Sequence, residues 1–151
     1  MAQDRTATLK AKRPPENAEQ GSTGTVSGTV KNLVSGKTYD LTATFIARDY
    51  ATPWGVYLAG PDPEESGGQY SLQIHFDVAE PATGSYELGS AGFAHAVYAR
   101  WPSEAFYTVE SGVLDLKNFV SVRHLEGDLK AITLGKWERK YELNLKFSIM
   151  G

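Results

Sequence analysis

Along most of the chain, apolar and polar residues alternate with a period of two. Tyr39, Leu41, Ala43, Phe45 and Ala47 interleave with Asp40, Thr42, Thr44, Ile46 and Arg48. Tyr70, Leu72, Ile74, Phe76 and Val78 interleave with Ser71, Gln73, His75 and Asp77. Tyr141, Leu143, Leu145, Phe147 and Ile149 do the same with Glu142, Asn144, Lys146 and Ser148. Successive side chains of a strand point to opposite faces, so each window predicts a strand with one row on a core and the other in water. A helix would repeat its apolar positions at three and four residues, which these windows do not. Weaker strand signals cover 25–32, 55–59, 85–88, 94–101, 106–109, 112–120 and 125–133. Turn chemistry separates them at Ser35-Gly36-Lys37, 60–68, Glu80-Pro81-Ala82-Thr83-Gly84, Ser111-Gly112 and Leu134-Gly135-Lys136. Glycine supplies the positive φ of such turns and proline a preset φ. Residues 102–106 and 136–140 leave room for a single helical turn each.

One layer of so many antiparallel strands would leave an apolar face bare, so two sheets must pack together or one sheet must close. The pattern therefore predicts an all-β fold, an antiparallel β-sandwich of about 8–10 strands, with a small closed β-barrel as the alternative. The N-terminal region differs. Ala7, Leu9 and Ala11 alternate with Thr8, Lys10 and Lys12, whereas PPENAEQGSTG over 14–24 holds almost nothing that could be buried. Residues 1–24 are thus expected to be a short strand plus a flexible linker, and 25–151 a single domain. A strand on such a hinge permits a homodimer by strand exchange.

Composition narrows the function classes. A length of 151 residues with 41% hydrophobic and 22% charged positions describes one ordinary folded domain. The absence of cysteine excludes thiol catalysis, iron–sulfur clusters and cysteine zinc sites. A net charge of -3 gives no basic field for nucleic acid. No apolar run approaches the roughly 18 residues of a membrane span. The start Met-Ala-Gln-Asp-Arg-Thr lacks the apolar stretch of a signal peptide. None of this assigns a compartment.

From Gly84 onward, Tyr86-Glu87-Leu88-Gly89-Ser90, Ala96-Val97-Tyr98, Tyr107-Thr108-Val109-Glu110-Ser111-Gly112-Val113-Leu114-Asp115-Leu116 and Leu125-Glu126-Gly127-Asp128-Leu129 follow one another. This order over residues 84–151 resembles a set of small bacterial all-β domains of uncharacterised function, often secreted proteins or lipoproteins. The resemblance implies a β-sandwich and brings no catalytic residues with it. The lipid-attachment cysteine common among such lipoproteins is missing.

Reactive motifs are scarce. Ser35-Gly36-Lys37-Thr38 ends like a phosphate loop, but Lys31 stands where its first glycine belongs, so a hairpin turn is expected. Dinucleotide and helical zinc-protease motifs are absent, and Gly24-Thr25-Val26-Ser27-Gly28 misses the nucleophile-elbow spacing. His75 and Asp77, two apart on a strand, share a side and could hold a metal with a third ligand from a neighbouring strand. The alternative is a solvated face. His95 is expected to be a buried histidine satisfied by backbone, or a pocket residue. His124 reads as surface. Asp62, Glu64 and Glu65 lie in a Pro/Gly-rich segment that reads as a solvated loop tip rather than a calcium loop. Trp137, beside Lys136, Arg139 and Lys140, suits a hairpin tip with its ring on a cation.

The aromatic residues carry the strongest functional signal. Tyr50, Trp54 and Tyr57 bracket a loop-like stretch, and Tyr98, Trp101, Phe106 and Tyr107 bracket another around Pro102. Aromatics on end loops make platforms for sugar rings or proteins; the same rings could instead plug the ends of the core. Two functions follow. One is a non-catalytic binding module for a protein or carbohydrate ligand, using Tyr50, Trp54, Tyr57, Tyr98 and Trp101 and needing no cofactor. The other is a ligand-binding barrel or metal-assisted enzyme with His95, or His75 and Asp77, in a concave site.

Overall fold

The structure is a computed structural model describing residues 23–49, 55–77, 80–89, 94–136 and 138–150. Ten strands follow in chain order: β1 (Thr23–Asn32), β2 (Thr38–Asp40), β3 (Phe45–Asp49), β4 (Gly55–Pro61) and β5 (Gln69–Phe76). Then come β6 (Gly84–Leu88), β7 (Ala94–Trp101), β8 (Ala105–Phe119), β9 (His124–Thr133) and β10 (Tyr141–Met150). The all-β expectation holds. The helical element among the described residues is a 3-10 turn at Val120–Val122, and no helix there is long and apolar enough to cross a membrane.

All ten strands join one sheet in the order β2-β1-β10-β9-β8-β6-β7-β5-β4-β3. Pairing is antiparallel except for one parallel bridge, Leu88 with Ala94. The sheet stays open, and its second layer arises because it folds over its own inner face. Tyr98 of β7 and Tyr141 of β10, which β8 and β9 separate in the sheet, bring their rings to 5.2 Å. Leu58, Leu72, Leu114, Leu129 and Leu143 fill the space between the halves, each fully buried. Apolar surface of this kind contributes about 25 cal/mol per Å² buried.

Strand β8 makes the fold possible. Its first residues pair with β7 and its later ones with β6 on the same side, while β9 runs along the other edge. A bulge between Val109 and Ser111 lets the strand bend from one layer to the other. The Ser111-Gly112 pair expected to be a turn between two strands is therefore part of this bend within one long strand.

The window 39–47 needs a second correction. It contains not one strand but two, β2 and β3, which lie at opposite edges of the sheet. The chain crosses between them at 41–44, where the Leu41 amide donates to the Gly28 carbonyl and the Thr44 amide to that of Ala59. The Tyr70 hydroxyl donates to the Thr42 carbonyl at 2.5 Å, pinning the corner. The alternation changes phase in the crossing: Tyr39, Leu41 and Ala43 pack on the core, but in β3 the buried residues are Ile46 and Arg48, opposite Leu58 and Val56, so Phe45 and Ala47, expected on the core row, lie on the other face.

Gly28 sets the curvature of β1. It holds φ +149°, and a Cβ there would lie 2.1 Å from the Asn144 carbonyl oxygen of β10. Only glycine permits so close a backbone approach without strain. Strand β1 already begins at Thr23, so Thr23 and Gly24, expected to end the linker, are strand; the expected strand at 6–12, the rest of the linker and the dimer they would allow lie outside the described residues.

Candidate functional site

Register alone places a polar surface on the outside of β6, β8, β9, β10 and β1. The inner row Val26, Phe147, Gly127 and Leu116 faces the core. Its neighbours therefore face outward in lateral rows. Thr25, Ser148, Glu126 and Lys117 stand opposite one another across four strands. The next row is Ser27, Lys146, Asp128, Asp115 and Ser85, and beyond it lie Thr29, Asn144, Lys130, Val113 and Glu87. Lys31, Glu142, Ile132 and Ser111 complete the face.

Depressions lie along this face. A cavity of 650 Å³ is lined by Thr25, Ser27, Ser85, Asp115, Glu126, Asp128 and Lys146 among others. It shares Ser27, Asp128 and Lys146 with a second of 270 Å³, which shares Lys130 and Asn144 with a third of 280 Å³. The three form one continuous trough. Lys146 stands against Asp128 and Lys117 against Glu126, while Asp115 and Asp128 oppose each other as like charges, and the Ser85 hydroxyl donates to Asp115 at 2.5 Å. Such exposed pairs add little stability; they hold donors and acceptors in place.

The outward row beyond Lys117, Glu126, Ser148 and Thr25 carries two aromatic rings. Phe119 stands opposite His124, His124 opposite Met150 and Met150 opposite Thr23. The Phe119 and His124 rings stack with centroids 5.6 Å apart. His124 Nε2 lies 2.8 Å from the Ser148 hydroxyl and 3.5 Å from a Glu126 carboxylate oxygen. His124 is thus tied to the polar rows rather than free at the surface.

Of the aromatics expected on end loops, Tyr57, Tyr98 and Trp101 lie on strands β4 and β7. Tyr98 sits in the middle of β7 and is fully buried; Trp101 is 6% exposed, its indole N–H donating to Ser71 at 3.0 Å. Phe106 packs beside Trp101, Tyr107 is buried, and Tyr57 is half-buried with its ring edge-on to Phe45. For Tyr98 and Trp101 the plug, not the platform, describes the structure, because both faces of β7 are buried. Tyr50, Trp54 and Trp137 lie outside the described residues.

His95, read separately from the His75 and Asp77 pair, lies beside it on the neighbouring strand. His75 and His95 stand directly opposite on β5 and β7, and His95 Nε2 is 3.1 Å from Asp77 Oδ2. His95 is buried, with a carboxylate among its partners. Among the described residues, no three His, Cys, Asp or Glu side chains are grouped so as to hold a metal ion.

The segment 60–68 also differs from its expected solvated tip. Asp62 is buried, its carboxylate 2.8 Å from Arg100 Nε, and Glu65 lies 3.4 Å from the same guanidinium. Asn32 Nδ2 donates to Glu64 at 3.1 Å. Burial alone would lower the Arg100 pKa, but the Asp62 hydrogen bond and charge raise it above its ordinary value. Tyr98 sits over this pair, its hydroxyl buried without a hydrogen-bond partner. Burial first, and the Asp62 charge second, push its phenol pKa well up.

Burial also raises Tyr70 and Tyr141, and takes Tyr57 to about 12 against a weaker lowering by a Ser71 hydrogen bond. The sign follows from linkage. These phenols stay protonated in the folded chain while the unfolded chain releases them near pH 10, so stability is full below that pH and falls as pH rises past it. In an alkaline titration, phenolate absorbance of these residues should appear only as the strand circular dichroism is lost. Complete ionisation with the sheet intact would contradict this.

No protein-family model, curated protein or solved structure matches this chain.

Proposed function

We propose that this protein is a non-catalytic binding module whose ligand lies along the outer trough of β6, β8, β9, β10 and β1. The observation that carries this is the continuity of the three cavities over a single sheet face. Ligand sites are concave and supply a few placed polar groups. Here hydroxyls, an amide and charges of both signs project from paired strands, whose rigidity holds them ready. The trough takes the place of the aromatic end loops as the binding surface, since Tyr98 and Trp101 are withdrawn into packing.

Amide chemical-shift mapping of the isotopically labelled chain tests this against a panel of soluble peptides and oligosaccharides. Shifts should cluster at Ser85, Asp115, Asp128 and Lys146, and Asp128→Ala should weaken binding about tenfold, the loss of one charge-assisted hydrogen bond. Binding that shifts only residues around Tyr57 and Trp101 would return the site to the opposite half of the sheet.

A further inference from the structure

We infer that Phe119, backed by His124, is a stacking platform for a sugar ring at the end of the trough, and that the ligand is a neutral oligosaccharide. This rests on the trough being the binding face. Phe119 is 45% exposed on the outer row next to Lys117 and Glu126. Val113 and Met150 are also exposed on this face and Val120 and Val122 follow Phe119 in the chain, but Phe119 is the ring among them, and a large aromatic left in water is a contact surface. One side of its ring is taken by His124, and His124 is itself held by Ser148 and Glu126. Packing of the Phe119 ring on His124 restricts it in advance, so less entropy is lost when a ligand covers it.

The chemistry of the remaining rows selects the ligand. Lys31, Lys117, Lys130 and Lys146 face Glu87, Asp115, Glu126, Asp128 and Glu142, so positive and negative charges nearly balance. A surface without net field favours neither anions nor cations. An extended peptide gains its affinity by adding to a strand edge, but the backbone groups here are already paired within the sheet. What projects is side-chain donors and acceptors in alternation. A pyranose chain offers the match: an apolar C–H face for Phe119 and equatorial hydroxyls for lysines and carboxylates. From Phe119 to Ser111 the trough runs for about 27 Å at the rise of a strand, enough for several rings.

Isothermal titration of the full chain with neutral oligosaccharides built on β1,4-glucose, xylose, mannose and N-acetylglucosamine, and with a polyuronate and a polybasic peptide, tests the inference. One neutral chain should bind. Phe119→Ala should weaken it tenfold or more at unchanged melting temperature, Phe119→Trp should retain it, and bound sugar protons should shift upfield under the ring. If Phe119→Ala binds as the parent does while Asp128→Ala does not, the platform is wrong and the trough stands. Binding by the polyuronate or peptide alone overturns the ligand class, as does binding of a protein partner through Phe119, Val120 and Val122. If nothing in the panel binds, the inference fails, and shifts at Asp128 with other ligands decide whether the trough fails with it.

Discussion

Replacing Asp62 with alanine should lower the unfolding free energy by about 3–5 kcal/mol, the cost of leaving a buried charge without its partner. The Asp62 and Arg100 side chains are 1% and 6% exposed and meet at 2.8 Å, so water cannot replace the lost carboxylate. Glu65, at 3.4 Å and largely exposed, recovers only part of the loss. A double change, Asp62→Leu with Arg100→Met, should regain most of the stability, because removing both charges removes the desolvation cost with them. Urea unfolding of the three proteins decides this. A loss below about 1 kcal/mol in Asp62→Ala would mean that the guanidinium finds solvent.

The second large effect is expected at Gly28. An added methyl would stand 2.1 Å from the Asn144 carbonyl oxygen and 2.8 Å from the Leu145 Cα, at φ +149°. Both atoms are backbone, so relief requires β1 to separate from β10. Overpacking and backbone strain together make Gly28→Ala destabilising by about 3 kcal/mol or more. Gly36 is the internal control: it has φ +77° with nothing within 4 Å of the added carbon, and should lose only about 1 kcal/mol. Equal melting temperatures for the two variants would show that β1 is not held close. Because Ser27 and Asn144 line the trough, Gly28→Ala should also weaken ligand binding.

Strand existence was readable wherever one face met water. Residues 141–149 alternate without exception, and β10 occupies Tyr141–Met150. Reading failed where the deciding contact was distant. Nothing local in 39–47 reveals that its two halves pair with β1 and β4. Both faces of β7 are buried, so its residues 94–101 could not show by alternation which side Tyr98 and Trp101 occupied. Proximity to Pro102 then made them look like loop aromatics.

The site was less legible than the fold. Asp115, Lys117 and Phe119 fall on the same side of one strand, and an aromatic in phase with charged residues is a signal that sequence offers. What makes it a site is the lateral alignment of five strands, and register between distant segments is not written locally. Asp62 illustrates the converse. Its Pro/Gly-rich surroundings indicate a loop, but the buried Arg100 that captures it is 38 residues away.

Pairing of β1 with β10 has a consequence for synthesis. Thr23 meets Met150, 127 residues apart, so the first described strand leaves the ribosome long before its central neighbour exists. Only the short β2 can pair with it meanwhile. Non-local closure of this sort is slow, and the nascent chain carries an unsatisfied strand edge through most of translation, the stage at which a holdase chaperone would matter most to its yield.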